Sequence, residues 1–260
     1  MHLSVIIPAY KDEKHIKDTI ESIYNYLKNK NIDHEIITVT DGPGDRTKEI
    51  VHSLLPIIPT LKHLDLPKNM GKGFAVREGM FKATGDYRLF TDADNATTIN
   101  HIERMMPYFD QGYSVVIGSI AVPGHTVSAG SEPIWRRLFG KMGNLYIQIL
   151  AVPGIHDTQR GFKILTAKAA VDIFSRSIVN RWEFDVELLV LAKKLGYKIK
   201  EVPVDWKNDP NTGSHPSLFA YFNFLFGVLK IRSNLIAGVY KKTQIDQRVA
   251  AVEERDQHVT

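Results

Sequence analysis

The chain has 260 residues, which is enough for one large α/β domain with a well-buried core. Its hydrophobic content of 43%, charged content of 24% and formal net charge of +4 are ordinary for a globular protein. The absence of cysteine excludes disulfides and cysteine-ligated metals, and no RNA-binding signature or basic helix indicates a nucleic-acid partner. The first residues lack the regions of a signal peptide, which predicts a cytoplasmic location.

The first half of the chain alternates apolar runs with segments of helical periodicity. Strands are predicted at residues 3–8, 35–40, 61–64, 87–90 and 114–118, and helices at 12–28, 46–55, 71–83 and 99–109. This alternation predicts an α/β fold, a mostly parallel sheet flanked by helices and joined by right-handed crossovers. Ligands of such sheets sit beyond the carboxyl ends of the strands, so a site is expected there.

The second half predicts fewer strands and longer amphipathic segments. Its predicted elements are helices at 134–150, 168–175, 184–195 and 218–240, and strands at 162–165 and 198–206, the last of them an edge strand because of Pro203. No uninterrupted apolar run reaches the ~20 residues that a membrane-spanning helix needs. Aromatic residues beside cations favour interfacial, membrane-facing helices near 134–150 and 217–240, with a buried core helix as the alternative for the second. We expect one domain over 1–242 and a charged, disordered tail over 243–260.

Two carboxylates, Asp92 and Asp94, directly follow the predicted strand at 87–90. Residues i and i+2 of an extended chain point to the same side, so both carboxylates can face one spot. Hard oxygen ligands of this kind suit Mg²⁺ or Mn²⁺, and such a metal ion can hold a diphosphate. A solvated, Asp-rich turn is the alternative interpretation of this pair.

A glycine-rich segment at residues 69–77 precedes the acidic pair in the chain. Gly71 and Gly73 allow the backbone to approach a ligand closely, while Lys72 and Arg77 supply positive charge beside a helix N-terminus. The glycine spacing is that of neither a P-loop nor a dinucleotide fingerprint. A glycine-rich helix entry with two solvated cations is the competing interpretation.

The polar segment at residues 8–13 turns the chain out of the first predicted strand. Pro8 and the polar residues after it could hold a nucleoside at the carboxyl end of that strand. Asp12 also suits the N-cap of the helix predicted at 12–28, with Glu13 in its first turn. Both interpretations can hold together.

Taken in chain order, these segments resemble glycosyltransferase family 2 of the GT-A type. The matching segments are residues 4–10, 41–42, 69–77 and 92–94, in the order and spacing of the family. Within the family, residues 69–80, 92–97, 157–163 and 181–189 are similar to the polyprenyl-phosphate (dolichyl-phosphate) glucosyltransferase branch, and less so to the mannosyltransferase branch. The resemblance covers residues 3–235, and four ordered motifs are far more specific than one.

The resemblance implies a GT-A, Rossmann-like fold in which Asp92 and Asp94 hold a metal ion and the donor diphosphate. It implies a nucleotide pocket lined by Pro8, Ala9, Tyr10, Glu13, Asp41 and Lys72. We group Arg77 of the glycine-rich segment with these residues. It also implies that Gln159 approaches the sugar or the acceptor phosphate. The sequence departs from the family pattern at three positions, where a second acid, an arginine and a lysine are usual: Thr40, Ile120 and His215.

The expected function is inverting transfer of a hexose, most simply glucose from UDP-glucose, to a polyprenyl phosphate at the membrane surface. A phosphate monoester is already anionic near pH 7, since its second pKa is about 6, so a general base is optional. Cations must instead receive the acceptor phosphate, and Arg136 and Arg137 on the predicted helix at 134–150 are the first choices, with Lys163 next.

Three alternatives stay open from the sequence. The donor could be GDP-mannose. The acceptor could be a saccharide hydroxyl, whose activation needs a base, for which Asp185 or Glu187 are candidates. The third alternative is a non-catalytic nucleotide-sugar binding protein, prompted by the departures from the family pattern.

Overall fold

The structure, a computed structural model, describes residues 1–126, 143–207 and 218–241. Within these ranges seven strands form one sheet in the order β3-β2-β1-β4-β6-β5-β7. The strands are β1 His2–Ala9, β2 Asp33–Asp41, β3 Leu61–Leu66, β4 Tyr87–Thr91, β5 Val115–Ser119, β6 Phe162–Thr166 and β7 Ile199–Pro203. The predicted strands and the mostly parallel sheet are confirmed, with β7 at an edge, whereas β6 runs antiparallel to both of its neighbours.

Helices flank this sheet within the described residues. They are α1 Ile16–Asn29, α2 Thr47–Leu54, α3 Lys72–Lys82, α4 Ile102–Met105, α5 Pro107–Asp110, α6 at 143–150, α7 Ala167–Phe174, α8 Phe184–Lys194 and α9 Leu218–Ile236. The predicted helices agree with these bounds apart from two departures and the stretch 134–142, which lies outside the described residues. The predicted tail at 243–260 also lies outside them.

The two departures have local causes. The single helix predicted at 99–109 is a 3-10 turn at Ile99–His101 followed by α4 and α5. Pro107 begins α5 because proline has no N–H for a preceding helical turn. The helix predicted from residue 12 begins only at Ile16, and the carbonyl of Asp12 accepts hydrogen bonds from the backbone N–H groups of His15 and Ile16. The Asp12 side chain does not cap the helix and instead accepts a hydrogen bond from the backbone N–H of Tyr10 at 2.7 Å.

Two apolar layers lie on opposite faces of the sheet, as the alternation of side chains along a strand requires. Ile6 of β1 belongs to the layer formed with α3, α7, α8 and α9. Its neighbours Val5 and Ile7 belong to the layer formed with α1, α2 and α4. These two layers fix the carboxyl ends of β1 and β4 side by side, since the two strands pair in parallel from Leu3 opposite Tyr87 to Ile6 opposite Phe90.

The length and the hydropathy of the helices bear on whether any of them could cross a bilayer. In the ranges 1–126, 143–207 and 218–241, no helix is both long enough and apolar enough to do so.

Candidate functional site

Three carboxylates lie close enough to interact electrostatically where β1 and β4 end. Asp92 and Asp94 follow β4, and Asp12 follows β1. The pKa of Asp12 is raised to about 6, chiefly by burial and further by the negative charges of Asp94 and Asp92. Burial and the charge of Asp92 likewise raise the pKa of Asp94. The predicted acidic pair is therefore a three-carboxylate cluster with unbalanced negative charge.

Lys72 places one positive charge against this cluster. Its Nζ pairs with Oδ1 of Asp92, and its side chain is only 16% exposed. Burial by itself would lower the pKa of Lys72, but the charges of Asp92 and Asp185 outweigh burial and raise it. Lys72 stands at the first position of α3, so its ammonium and the helix N-terminus both lie near the acids.

Asp41 fixes the loop that presents Lys72. Its two carboxylate oxygens accept hydrogen bonds from the backbone N–H groups of Met70 and Gly71, at 2.6 and 2.8 Å. Gly71 has a φ of +100°, and a Cβ there would lie 2.3 Å from the carbonyl oxygen of Asn180. Only glycine fits this position. In this structure the Asp41 carboxylate thus binds its own chain rather than facing open space for a nucleotide.

Arg77 is expected among the nucleotide-binding residues, and the structure places it elsewhere. The side chain is buried on α3, and its guanidinium donates to the carbonyl oxygen of Ser177 at 3.1 Å and to Oδ1 of Asn180 at 2.8 Å. The ring of Phe74 packs against the guanidinium, 4.9 Å away. Arg77 therefore holds the segment around residue 180 against α3 instead of lying beside Asp92 with Lys72.

A buried ion pair lies behind the acid cluster. Lys163 and Asp185 are 0% and 3% exposed and bind each other, and Lys163 also donates to the carbonyl oxygen of Arg160 at 2.6 Å. Burial raises the pKa of Asp185 even though Lys163 and Lys72 oppose the rise. The structure places the Lys163 ammonium, expected as a candidate for the acceptor phosphate, in an enclosed ion pair rather than at an open surface. The same enclosure argues against Asp185 as a base for a saccharide hydroxyl.

The segment that contains Gln159 lies against Asp92. The backbone N–H of Asp92 donates to the carbonyl oxygen of Gly161 at 3.2 Å. A Cβ on Gly161 would lie only 2.2 Å from Oδ2 of Asp92, so this position leaves room for the carboxylate only as glycine. Gln159 itself is exposed, and its backbone N–H approaches Oδ1 of Asp157 at 3.4 Å. The structure thus brings the Gln159 segment and the acid cluster together.

The residues predicted to line a nucleotide pocket stand at the end of β1. Pro8 and Ala9 are buried at the end of the strand, whereas Tyr10 is 41% exposed. Glu13 accepts a hydrogen bond from the backbone N–H of Arg46 at 3.1 Å, which ties this segment to the start of α2. These residues flank the acid cluster on the side of β1 and β2.

A cavity of about 270 Å³ opens between the start of α1 and the segment that follows β4. Asp94, Asn95 and Ala96 form one wall of the cavity, and His15 and Thr19 of the α1 region form another. Asn95 adopts a φ of +54°, and the backbone N–H of Ala96 donates to Oδ1 of Asp94. The cavity gives a small ligand access to the Asp94 side of the cluster.

Sequence reasoning misses two residues of the site. The sequence indicates Asp12 as a possible helix cap or as one of the polar residues beside a nucleoside, but not as a third carboxylate beside Asp92 and Asp94. Trp182 is not singled out by any pattern, yet it is 61% exposed and its ring centroid lies 5.1 Å from Nζ of Lys72. Its signal in the sequence is an aromatic residue inside a segment, 181–189, that already carries the resemblance. Arg136, Arg137 and His215 lie outside the described residues.

The acid cluster has the chemistry of a divalent-metal site that a ligand completes. Among residues 1–126, 143–207 and 218–241, no group of three histidine or carboxylate side chains is arranged to hold a metal on its own. Asp92 and Asp94 offer hard oxygen ligands. The pKa values of Asp12 and Asp94 are raised chiefly by burial and further by the neighbouring carboxylates, whose negative charge a cation would offset. The residues therefore fit Mg²⁺ or Mn²⁺ bound jointly with a diphosphate.

Comparison with solved structures defines the fold family. Mannosyl-3-phosphoglycerate synthase from Rubrobacter xylanophilus matches with a TM-score of 0.66 at 16% identity, over 93% of this chain and 76% of that one. Glucosyl-3-phosphoglycerate synthase from Mycobacterium tuberculosis in complex with UDP matches with a TM-score of 0.65 at 16% identity, over 89% of this chain and 80% of that one. A structure of the latter protein with Mn²⁺, UDP and glucosyl-3-phosphoglycerate gives 0.62 at 17% identity, over 88% and 77%. The fold is that of the GT-A glycosyltransferases.

Comparison of sequences defines the family. The model of Glycosyl transferase family 2 matches residues 4–173, more than half of the chain, and the chain belongs to this family. One dolichyl-phosphate beta-glucosyltransferase of Trichomonas vaginalis is 35% identical over 98% of this chain and 77% of its own length. Those of Dictyostelium discoideum and Homo sapiens are 33% and 30% identical, over 90% and 93% of this chain and 78% of each relative. The resemblance stated from the motifs is confirmed.

Proposed function

We propose that this protein transfers glucose from UDP-glucose to a polyprenyl phosphate, with inversion at the anomeric carbon. The observation that supports this most directly is the joint occurrence of two features. The acid cluster with Lys72 fits a metal-bound sugar diphosphate. The relatives that align over nine tenths of the chain or more are named dolichyl-phosphate beta-glucosyltransferases.

The donor diphosphate would lie at the acid cluster. Asp92 and Asp94 would hold Mg²⁺ or Mn²⁺, which supplies Lewis-acid stabilisation of the departing diphosphate when bound. Lys72 adds a cation on the same side, and its ion pair with Asp92 keeps it in place until the ligand binds. Asp41 contributes by fixing the backbone of the glycine-rich segment, through the N–H groups of Met70 and Gly71.

The nucleoside would occupy the side of β1. Pro8, Ala9, Tyr10 and Glu13 stand there, next to the acids, and the exposed ring of Tyr10 offers a surface for a base. Gln159 would approach the sugar or the acceptor phosphate from the opposite side, since its segment packs against Asp92. The anomeric carbon would then lie between the nucleotide side and the Gln159 segment.

The acceptor phosphate needs positive charge but no base. It is anionic near pH 7, since its second pKa is about 6, so attack on the anomeric carbon requires no proton transfer. Direct displacement converts an α-linked donor into a β-linked lipid product. Arg136 and Arg137 remain our proposal for the cations that receive this phosphate, because Lys163 is enclosed and paired with Asp185.

Helix α9 would lie on the cytoplasmic face of the membrane and bring the site to the lipid. Phe222, Phe226 and Leu229 of this helix are 57%, 67% and 44% exposed, and the cations Lys230 and Arg232 follow them. Exposed aromatic side chains beside cations suit the bilayer interface. Flotation with anionic vesicles tests this: Phe226→Ser should weaken binding, and Ile57→Ser, at an equally exposed residue after α2, should not. Equal flotation of Phe226→Ser and wild type contradicts the membrane role of α9.

A transfer assay tests the proposed reaction. Purified protein is incubated with Mn²⁺ or Mg²⁺, a short polyprenyl phosphate, and either UDP-glucose or GDP-mannose labelled in the sugar. Label extracted into organic solvent from UDP-glucose alone is the expected result. Label extracted from GDP-mannose alone would replace the donor, and transfer only to a saccharide would replace the acceptor. Binding of UDP-glucose without transfer to any acceptor would favour a nucleotide-sugar binding protein.

A further inference from the structure

Residues 177–183, the tryptophan loop, are fastened to the protein from two sides. On one side α3 holds the loop: the Arg77 guanidinium binds Ser177 and Asn180, and the backbone N–H of Phe74 donates to the Asn180 carbonyl at 3.1 Å. On the other side, the carboxylate of Glu187 in α8 accepts hydrogen bonds from the backbone N–H groups of Ile178 and Val179.

At two positions at the start of α3, the helix lies so close to the loop that only glycine fits. A Cβ on Gly71 would lie 2.3 Å from the carbonyl oxygen of Asn180, and one on Gly73 would lie 2.7 Å from that of Val179. Contacts of this kind, together with the buried Arg77 and Glu187, leave the loop backbone little freedom.

This tightly held loop presents an open aromatic ring at the site. Trp182 is 61% exposed, although tryptophan is among the side chains that gain most from burial. The ring centroid lies 5.1 Å from Nζ of Lys72, whose ammonium pairs with Asp92. One face of the indole therefore meets the cation of the site, and much of the remaining ring surface is open.

We propose that the open face of Trp182 is the stacking platform for the hexose of the donor. This inference rests on the proposed function. A diphosphate bound at Lys72 and Asp92 would carry its hexose close to the indole, because the ring centroid is 5.1 Å from the Lys72 ammonium. Its C–H face is apolar and can cover the ring while its hydroxyl groups stay hydrated. A lipid tail fits this place less well, because it would have to desolvate the neighbouring Lys72 and Asp92 charges.

Calorimetric titration with UDP and with UDP-glucose, in the presence of Mn²⁺, tests the platform. Trp182→Ala and Trp182→Leu should bind UDP as the wild type does and lose roughly tenfold in affinity for UDP-glucose, the size of one moderate contact. Trp182→Phe should retain most of that affinity, because it keeps a ring face, whereas leucine keeps only apolar bulk. The exposed position of Trp182 makes folded variants the expectation, and Ile57→Ala is the matched surface control.

The possible outcomes are distinguishable. Unchanged UDP-glucose binding in Trp182→Ala would overturn the platform, as would equal loss of UDP and UDP-glucose, which would assign the indole to holding Lys72 in place. Loss of UDP-glucose affinity alone supports it. A further outcome is that only UDP-glucose binding depends on Trp182, while the wild type transfers no glucose to polyprenyl phosphate. In that case the proposed function fails and the platform stands.

Discussion

Replacing Gly161 with alanine should displace Asp92 without changing any residue of the acid cluster itself. A Cβ at this position would lie 2.2 Å from Oδ2 of Asp92 and 2.3 Å from its Cγ. This distance falls short of ordinary van der Waals contact, which begins at 3.4 Å, by about 1.2 Å. The Asp92 backbone is tied to the Gly161 carbonyl, so the carboxylate has to swing away and leave Lys72.

The size of that displacement sets the expected loss of activity. A misplacement of about 1 Å in a reacting constellation can cost a hundredfold in rate, or about 2.7 kcal/mol in activation free energy. We therefore expect the turnover of Gly161→Ala to fall about a hundredfold in the glucose-transfer assay with Mn²⁺. Affinity for UDP in the presence of Mn²⁺ should fall as well, because Asp92 is a proposed metal ligand.

A second glycine supplies the control. Gly112 has a φ of +82°, and no atom lies within 4 Å of the place that a Cβ would take, so Gly112→Ala strains the backbone without a steric clash. It should lower the free energy of unfolding by roughly 1 kcal/mol and leave turnover unchanged. A folded Gly161→Ala that turns over as fast as Gly112→Ala and the wild type would refute the reasoning that Asp92 must stay where this structure holds it.

The remaining predictions concern the charges of the site. Asp94→Asn should lower transfer by at least about a hundredfold in the glucose-transfer assay, because a metal ligand is lost. Its melting temperature should not fall, because repulsion by Asp92 is relieved. Near-normal turnover would contradict the metal assignment. Lys163→Met should lower the free energy of unfolding in urea by about 3–5 kcal/mol, since it leaves Asp185 buried and unpaired. The double change Lys163→Met with Asp185→Leu should recover most of the lost stability. A small effect of the single change would mean that the pair is not enclosed. The raised pKa of Asp12, about 6 against an ordinary 3.8, gives stability that is present below about pH 4 and lost as pH rises through about 6. Melting temperatures of the wild type should show this loss relative to Asp12→Asn, and parallel pH curves for the two proteins would contradict it.

The sequence by itself determined the strands, most of the helices and the acidic pair. Apolar β-branched runs and helical periodicity are local patterns, and local patterns suffice to place β1, β4 and α3 within one or two residues. The position of Asp92 and Asp94 directly after a strand was also enough to predict their place at the carboxyl edge of the sheet. The motif order added the family, since several weak motifs in fixed order are specific together.

Only the tertiary structure decided which charged side chains lie next to each other. The antiparallel insertion of β6 between β4 and β5 puts Lys163 behind Asp92, where Asp185 from α8 neutralises it. The parallel pairing of β1 with β4 brings Asp12 to the acids. These partners are separated by 22 to 82 positions in the chain, and no local pattern encodes such distances.

The same holds for the residues whose roles changed. Arg77 has the sequence signature of a solvated or ligand-facing cation, and the packing of α3 on the tryptophan loop turns it inward. Trp182 is a large aromatic residue of the kind that the sequence alone assigns to a core. The anchoring of the tryptophan loop instead leaves its ring exposed to solvent beside Lys72. The physical reason is that burial and charge pairing depend on the neighbours that non-local strand and helix packing supplies, whereas periodicity reports only the face of one element.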